Sequence, residues 1–303
     1  MERAIGGNQC MKVTGANNIG NVASGTRNQT TDKLPVQVAP ATFARSAPDI
    51  PLRTIGGLPI AVIDRPGSAR LMMHSALARR GSGLPPLFLT SANGQVLSMC
   101  ARDEAAHALF LSADLIHADG MPLVFASRWK CRTALPERVA TTDLFHDAAK
   151  IAETAGATLY LLGATQQTIE AAVAKVRQAY PGLTIAGFHN GYFTRDEEAQ
   201  VVADIDAARP DILWVGMGAP REQLFAARNR ERLTNVGVIK TSGGLFDFLS
   251  GRNRRAPLWL QAAGLEWLYR LTLEPRRMLF RYLTTNPHAL YLLLTRTSGR
   301  LDR

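Results

Sequence analysis

The chain has 303 residues, 46% hydrophobic and 20% charged, a composition that excludes a wholly disordered, collagen-like or polytopic membrane protein. Cys10, Cys100 and Cys131 are too few and too scattered for a disulfide framework or a four-ligand zinc site, so we expect a reducing compartment. The net charge of +10 is concentrated at one end, since residues 252–303 hold ten arginines and three acidic residues whereas residues 51–251 are almost neutral. Such a basic segment favours a phosphate-bearing partner: nucleic acid, an anionic membrane or a phosphorylated ligand.

Residues 1–50 are rich in Gly, Asn, Thr, Ser and Ala and show no sustained hydrophobic periodicity. This composition predicts a disordered N-terminal extension. The extension lacks the apolar core of a signal peptide, and nowhere does the chain hold about 18 consecutive apolar residues. We therefore expect a cytoplasmic protein.

Short apolar segments alternate with helical patterns through residues 51–251, which predicts one α/β domain. The pattern indicates a Rossmann-like, mostly parallel sheet with helices on both faces. Ligands of such sheets bind at the carboxyl ends of the strands. The predicted strands are 59–63, 86–90, 114–118, 158–163, 183–188, 211–218 and 236–241. The predicted helices are 66–80, 94–111, 121–129, 142–155, 166–179, 195–208 and 221–233.

Residues 252–303 predict a third unit, an arginine-rich amphipathic helical appendage. Trp, Leu and Tyr recur at helical spacing between the arginines. Pro257, Pro275 and Pro287 are each expected to break the helix. Arginines beside apolar stripes are typical of an element that lies in a membrane interface.

Polar clusters follow the second and third predicted strands, and another lies in the loop before the helix predicted over 142–155. Each has two interpretations. Ser91 and Asn93 suit hydrogen bonding to a sugar or phosphate, but they suit a helix N-cap equally well. Asp119, before Gly120, could take a proton from a substrate hydroxyl, although taken alone it favours a cap. Arg138 could clamp a diphosphate or pair with a neighbouring carboxylate, Glu137 or Asp143.

Three glycine-rich segments follow the later strands. Gly191 and Tyr192 combine a flexible backbone with an aromatic ring suited to a base or sugar. Two further pairs, Gly216 with Gly218 and Gly243 with Asp247, let a ligand approach the backbone near a helix N-terminus. None of the three is a complete dinucleotide fingerprint or a Walker loop.

The sequence predicts no metal site and no cofactor. Asp204 and Asp206 spell D-x-D, a pattern that holds a divalent metal in many sugar-nucleotide enzymes. They fall inside a predicted helix, where positions i and i+2 point to different faces. The nucleophile-elbow pattern G-x-S-x-G and the zinc motif H-E-x-x-H do not occur in the chain.

Taken together, these clusters resemble the WecG/TagA/CpsF glycosyltransferases of bacterial surface polysaccharide and teichoic acid synthesis. The resemblance covers about residues 53–290 and is most specific in ADGMPLVFASRW (118–129), ERVATTDLF (137–145), DILWVGMGAPREQ (211–223) and the segment 242–287. It implies a metal-independent, inverting transfer from a UDP-sugar to a sugar on a polyprenyl diphosphate. The sugar stays open among N-acetylmannosamine, its uronic acid and glucose.

The resemblance also implies roles for individual residues. Asp119 falls on the proposed general base, Ser91 on a threonine of the family, and Arg138 on an arginine proposed to engage the diphosphate. The other implied substrate contacts are Asn93, Gly218, Pro220, Glu222 and Gln223, the last two in swapped order. In the family the C-terminal segment docks on the membrane and completes the site, so the protein is expected at the inner face of the plasma membrane. Arginines expected near the acceptor diphosphate are Arg254, Arg255, Arg276 and Arg277.

Two other function classes are kept as alternatives. An arginine-rich tail on a Rossmann-like body could bind nucleic acid, although its arginines flank Trp and Leu and it has no lysine. An NAD(P)-dependent oxidoreductase would share the sheet, but the first predicted strand is followed by Asp64, Arg65 and Pro66 instead of the glycine fingerprint. Nucleic acid is therefore not the expected partner. The sequence leaves the oligomeric state open, and a homo-oligomer is one possibility.

Overall fold

A computed structural model describes residues 50–273 and 275–298, except the side chains of residues 277 and 278. The predicted disordered extension lies outside these residues apart from residue 50. The strands are β1 (Leu52–Ile55), β2 (Leu58–Ala61), β3 (Leu87–Ala92), β4 (Leu115–Ala118), β5 (Thr158–Gly163), β6 (Thr184–His189), β7 (Ile212–Gly216) and β8 (Val238–Thr241). They form one sheet in the order β1-β2-β4-β3-β8-β7-β5-β6. Only β1 runs antiparallel to its neighbour, so the predicted mostly parallel sheet is confirmed.

Helices connect the strands from β2 onward and cover both faces of the sheet. Leu159 and Leu161 of β5 pack in one apolar cluster, whereas Tyr160 and Leu162 pack in another. This alternation is the signature of a strand buried on both faces. The helices before the C-terminal segment are α1 (Arg65–Arg79), α2 (Gly94–Cys100), α3 (Glu104–Leu111), α4 (Met121–Lys130), α5 (Thr141–Ala155), α6 (Gln166–Ala179), α7 (Arg195–Ala208), α8 (Arg221–Asn229) and α9 (Leu245–Leu249). A 3-10 turn, Arg230–Arg232, follows α8.

In the α/β part of the chain, one predicted helix is divided and one strand was not predicted. The helix predicted over 94–111 is two helices, because the Asp103 carboxylate accepts the backbone N–H groups of Ala105 and Ala106 and so starts α3. The strand β1 was missed because its four residues, two of them polar, are only half-buried except for Ile55.

The C-terminal segment forms α10 (Leu258–Ala262), α11 (Glu266–Leu273) and α12 (Pro275–Thr295). The predicted break at Pro287 is wrong, because α12 runs through it. Packing offsets the roughly 3 kcal/mol that an interior proline costs a helix. Leu292 and Leu293 are buried in the apolar cluster that also holds residues of α2 and α4, and His288 bonds to Ser98 at 2.9 Å.

Candidate active site

Two cavities open at the edge of the sheet where the parallel strands end. The first, of about 360 Å³, lies beyond β4 and β3 and is closed on one side by α11 and α12. The second, of about 270 Å³, lies beyond β8, β7, β5 and β6. Part of the predicted set of site residues is divided between the two cavities. Asn93, Asp119, Gly120, Arg138 and Arg255 line the first cavity, and Gly191, Tyr192, Gly216, Gly218, Gly243 and Asp247 line the second.

Asp119 follows β4 directly and is half-buried in the wall of the first cavity. Its Oδ2 accepts a hydrogen bond of 3.1 Å from Thr141 Oγ1. The N-cap of α4 is Gly120 and has no side-chain cap bond, so the cap interpretation of Asp119 is wrong. The carboxylate is therefore held by one hydroxyl at the cavity wall, where it can accept a proton.

Ser91 and Asn93 end β3 beside Asp119. Asn93 Oδ1 caps α2 by accepting the N–H of Val96 at 3.2 Å, so the cap interpretation is confirmed while Asn93 also lines the cavity. Ser91 Oγ lies 3.4 Å from Thr141 Oγ1 and accepts a bond of 2.8 Å from Lys240 Nζ. Asn93 therefore lines the cavity, whereas Ser91 lies outside the lining and bonds to Lys240 and Thr141.

Arg138 joins the core to the C-terminal helices. Its Nη1 donates to Glu266 Oε2 at 2.7 Å and its Nη2 to Gln261 Oε1 at 2.6 Å. The suggested pairing with Glu137 or Asp143 is wrong, because the side chain points into the cavity and meets α10 and α11 there. Arg255 takes Asp143 instead and also donates to Gln261 at 2.7 Å.

The wall formed by α11 and α12 is both aromatic and basic. The rings of Trp267 and Tyr282 meet edge to face with their centroids 5.7 Å apart, and Leu290 lies beside them in the lining. Arg270 and Arg281 line the same wall. An apolar wall next to several cations suits an amphiphile that carries negative charge. The sequence analysis placed arginines here but did not identify these five residues.

The second cavity is lined mostly by backbone from four strand ends. Gly218 and Gly243 have φ of +80° and +56°, a conformation that side-chain-bearing residues rarely adopt. The Tyr192 ring is 70% exposed, and the Arg221 guanidinium lies 6.0 Å from its centroid. A narrow site with an aromatic ring, an arginine and a carboxylate (Asp247) suits a nucleotide.

Glu222 and Gln223, expected to contact substrate, are buried and line neither cavity. Glu222 Oε2 accepts the N–H groups of Gly243 at 2.8 Å and of Gly218 at 3.2 Å, so it fixes two loops of the second cavity from behind. Burial raises the pKa of Glu222. Gln223 Nε2 donates to Thr90 Oγ1 at 3.0 Å. Pro220 precedes α8 and also lies outside both linings.

The four predicted C-terminal arginines do not converge. Arg255 reaches the first cavity, but Arg254 and Arg276 are exposed and line neither. The side chain of Arg277 lies outside the described residues. Arginine spacing alone could not separate these cases, because the turns between the short helices decide which side chains face the core.

Lys240 is a functional candidate that the sequence analysis missed. It lies on β8, between β3 and β7, and is fully buried. The available signal was a single lysine inside the apolar strand VGVIKT, immediately before its carboxyl end. A charge so placed is costly unless it is hydrogen-bonded.

Asp204 and Asp206 lie in α7, so the predicted helical placement of the D-x-D is confirmed. Asp204 accepts a bond from Gln200, and Asp206 accepts two from Asn235. Across the residues described, no helix is both long and apolar enough to cross a bilayer.

Residues 53–303 match the sequence model of the glycosyl transferase WecG/TagA/CpsF family. Two similar proteins are both named N-acetylglucosaminyldiphosphoundecaprenol N-acetyl-beta-D-mannosaminyltransferase. The one from Bacillus subtilis (strain 168) is 31% identical over 189 residues, which are 62% of this chain and 72% of the relative. The one from Staphylococcus aureus (strain NCTC 8325 / PS 47) is 30% identical over 192 residues, which are 63% and 74%. The chain therefore belongs to the WecG/TagA/CpsF family and is a glycosyltransferase.

Proposed function

We propose that this chain transfers a hexose-type sugar from a UDP-sugar to a sugar carried on a polyprenyl diphosphate, with inversion and without a metal. The observation that carries the proposal is Asp119, whose carboxylate lines a cavity that also has an aromatic and basic wall formed by α11 and α12. The relatives' names support a lipid diphosphate acceptor and make N-acetylmannosamine the first donor to test. Its uronic acid and glucose are the other candidate donors.

The two cavities give each substrate its own place. The donor nucleotide lies in the glycine-lined second cavity, with its base against Tyr192. The acceptor lies in the first cavity, with its diphosphate near Arg138, Arg270 and Arg281 and its lipid against Trp267 and Tyr282. β3, which ends beside the first cavity, is the neighbour of β8, which ends beside the second. In this proposal the donor sugar extends across that junction to the acceptor hydroxyl beside Asp119.

The residues then divide the chemistry. Asp119 removes the proton of the acceptor hydroxyl as its oxygen attacks the donor carbon from the face opposite the departing UDP. Fixed cations and backbone N–H groups stabilise the diphosphate that leaves. An inverting transfer needs only this one base, and the arginines supply the positive charge that a divalent ion provides in other enzymes.

The exposed apolar side chains of the C-terminal helices support docking on an anionic membrane, where such an acceptor resides. Leu258, Trp259, Phe280 and Leu283 are each at least 65% exposed. Arg254 and Arg276 are exposed close to them in sequence. Basic residues near an anionic surface contribute about 1 kcal/mol each, which suits reversible binding.

The direct test incubates the full chain with UDP-N-acetylmannosamine and polyprenyl-diphosphate N-acetylglucosamine, with and without EDTA. We expect a disaccharide on the lipid, a β-linkage if the donor is α-linked, and an unchanged rate in EDTA. Loss of transfer in EDTA, restored by a divalent ion, would overturn metal independence. Transfer of the uronic acid or glucose instead would reassign the donor.

UDP alone should stabilise the protein. At 100 times its Kd, a ligand adds about 2.7 kcal/mol to the free energy of unfolding, which a melting curve resolves.

Tyr192→Ala should weaken UDP binding by about tenfold, because stacking on an aromatic ring contributes about 1–3 kcal/mol per base. Tyr291→Ala, at a tyrosine that is 59% exposed and lies outside both cavities, is the control. A shift with RNA or NAD(P)H but none with UDP would favour an alternative class.

A further inference from the structure

We propose that Lys240 is a positioning residue for the transfer reaction: it sets the direction of a chain of hydroxyl hydrogen bonds that ends on Asp119. The inference rests on the proposed function. It adds a residue that contacts neither substrate and acts through Ser91 and Thr141. It also gives a functional reason for the buried ammonium group of Lys240 in the middle of the sheet.

The backbone places Lys240 in the middle of the sheet, on the strand next to β3. Lys240 is opposite Leu89 of β3 on one side and Trp214 of β7 on the other, and both neighbours are fully buried. An isolated ammonium group here would be strongly unfavourable. Its Nζ donates at 2.8 Å to Ser91 Oγ and at 2.8 Å to its neighbour's carbonyl, Thr241 O. Both bonds point toward the carboxyl edge of the sheet.

The ammonium group fixes which way each hydroxyl points. Protonated lysine can only donate, so Ser91 Oγ accepts from it and its own hydrogen is free to point to Thr141 Oγ1, 3.4 Å away. Thr141 in turn donates to Asp119 Oδ2 at 3.1 Å. All three bonds therefore run in one direction, from the cation to the carboxylate.

This direction decides which atom of Asp119 receives the proton. The Thr141 bond uses Oδ2, which leaves Oδ1 for the acceptor hydroxyl. Without the lysine, Ser91 can donate elsewhere and Thr141 can turn its hydrogen away from Asp119. The carboxylate then loses the bond that holds its plane, and a base that is misplaced by a fraction of an ångström transfers protons more slowly.

The direction of these hydrogen bonds should depend on pH. Burial lowers the pKa of Lys240 to about 8. The charged groups that act on it are the carboxylates of Asp119 and Glu222, which favour its protonated form, and the buried His117 imidazole lies close enough to feel its charge. Neutral lysine can accept a hydrogen bond as well as donate, so the single direction is lost as the pH rises through about 8.

Lys240→Met tests the proposal, since methionine keeps an unbranched side chain of similar length and removes the donor. Lys150→Met, at an exposed lysine of α5, is the matched control. We expect Lys240→Met to lower kcat at pH 7 by about 10–100-fold, the range for losing a hydrogen bond to a charged group. UDP affinity and melting temperature should stay near those of the wild type, and Lys150→Met should leave kcat unchanged.

Two further readouts separate positioning from a general structural effect. The wild-type kcat should fall above pH 8, and this alkaline decline should be absent from Lys240→Met. Ser91→Ala should remove the same decline, and Ser91→Ala combined with Lys240→Met should cost little more than either change alone. Ser91→Ala provides this test even if Lys240→Met does not fold.

The opposite results would overturn the inference. They are a kcat of Lys240→Met within threefold of the wild type, an alkaline decline that persists in Ser91→Ala, or fully additive losses in the double variant. These results are distinct from a failure of the proposed function, because that failure would appear as absent transfer in the wild-type protein.

Discussion

Asp119→Asn should lower the rate of sugar transfer by about 10²–10⁴-fold, the usual contribution of a general base. Asparagine has nearly the same shape, and its amide oxygen can still accept the Thr141 hydrogen bond. It cannot take a proton from the acceptor hydroxyl. Because Asp119 lines the first cavity and not the second, the affinity for UDP should remain within a few-fold of the wild type. Single-turnover transfer and a UDP titration measure the two effects separately.

The control for this change is Asp196→Asn, which neutralises an exposed aspartate in the first turn of α7. It should leave transfer intact and alter stability by a few tenths of a kcal/mol through the helix dipole. Near-normal transfer by Asp119→Asn would mean that another group removes the proton. Loss of UDP binding together with transfer would mean that the carboxylate supports the donor instead.

Trp259→Ser combined with Phe280→Ser should reduce binding to anionic vesicles by about 10²-fold. These side chains are 68% and 77% exposed, so replacing them removes apolar area without opening a core cavity. Burial of a large side chain contributes at least about 1.5 kcal/mol, and two such losses correspond to a hundredfold change in partitioning. Co-sedimentation with vesicles that contain phosphatidylglycerol measures the effect.

A matched control is Leu84→Ser, at a half-exposed leucine just before β3, on the opposite edge of the sheet from the cavities. It should not change vesicle binding. The double variant should retain UDP binding but lose transfer to an acceptor presented in vesicles. Undiminished co-sedimentation of the double variant would contradict docking through the C-terminal helices.

Most of the sheet could be predicted because its strands are apolar on both faces and separated by clear helical patterns. The strand β7 around Trp214, for example, is a run of apolar residues and can be assigned to a buried strand from its own sequence. The edge strand β1 was missed for the opposite reason, since a half-buried strand carries little periodic signal. Pro287 was misjudged because local propensity favours a break, and only the packing of α12 on α2 outweighs it.

The site was predictable in outline but not in its hydrogen bonds. Loops after parallel strands meet at one edge, so Asp119 and the glycines of β7 and β8 were correctly expected there. Glu222 was expected in the site but is buried behind it, and Lys240, which the sequence did not single out, is buried and bonded to Ser91. Contacts between distant segments decide which side of a loop faces a ligand. Residue spacing along the sequence does not reveal those contacts.

The pairing of β1 with the residues after α12 has a consequence for folding during translation. Ser298 forms a bridge to Thr54, and the Gly56 N–H bonds to Thr297 Oγ1 across 241 residues. Leu292 also completes the apolar cluster that holds Ile55. Synthesis proceeds from the N-terminus, so this edge of the sheet stays uncovered until residue 298 has left the ribosome. Parallel strands on the far side can pair earlier, and β1, which is translated before the other strands of this sheet, is the last of them to be fully covered.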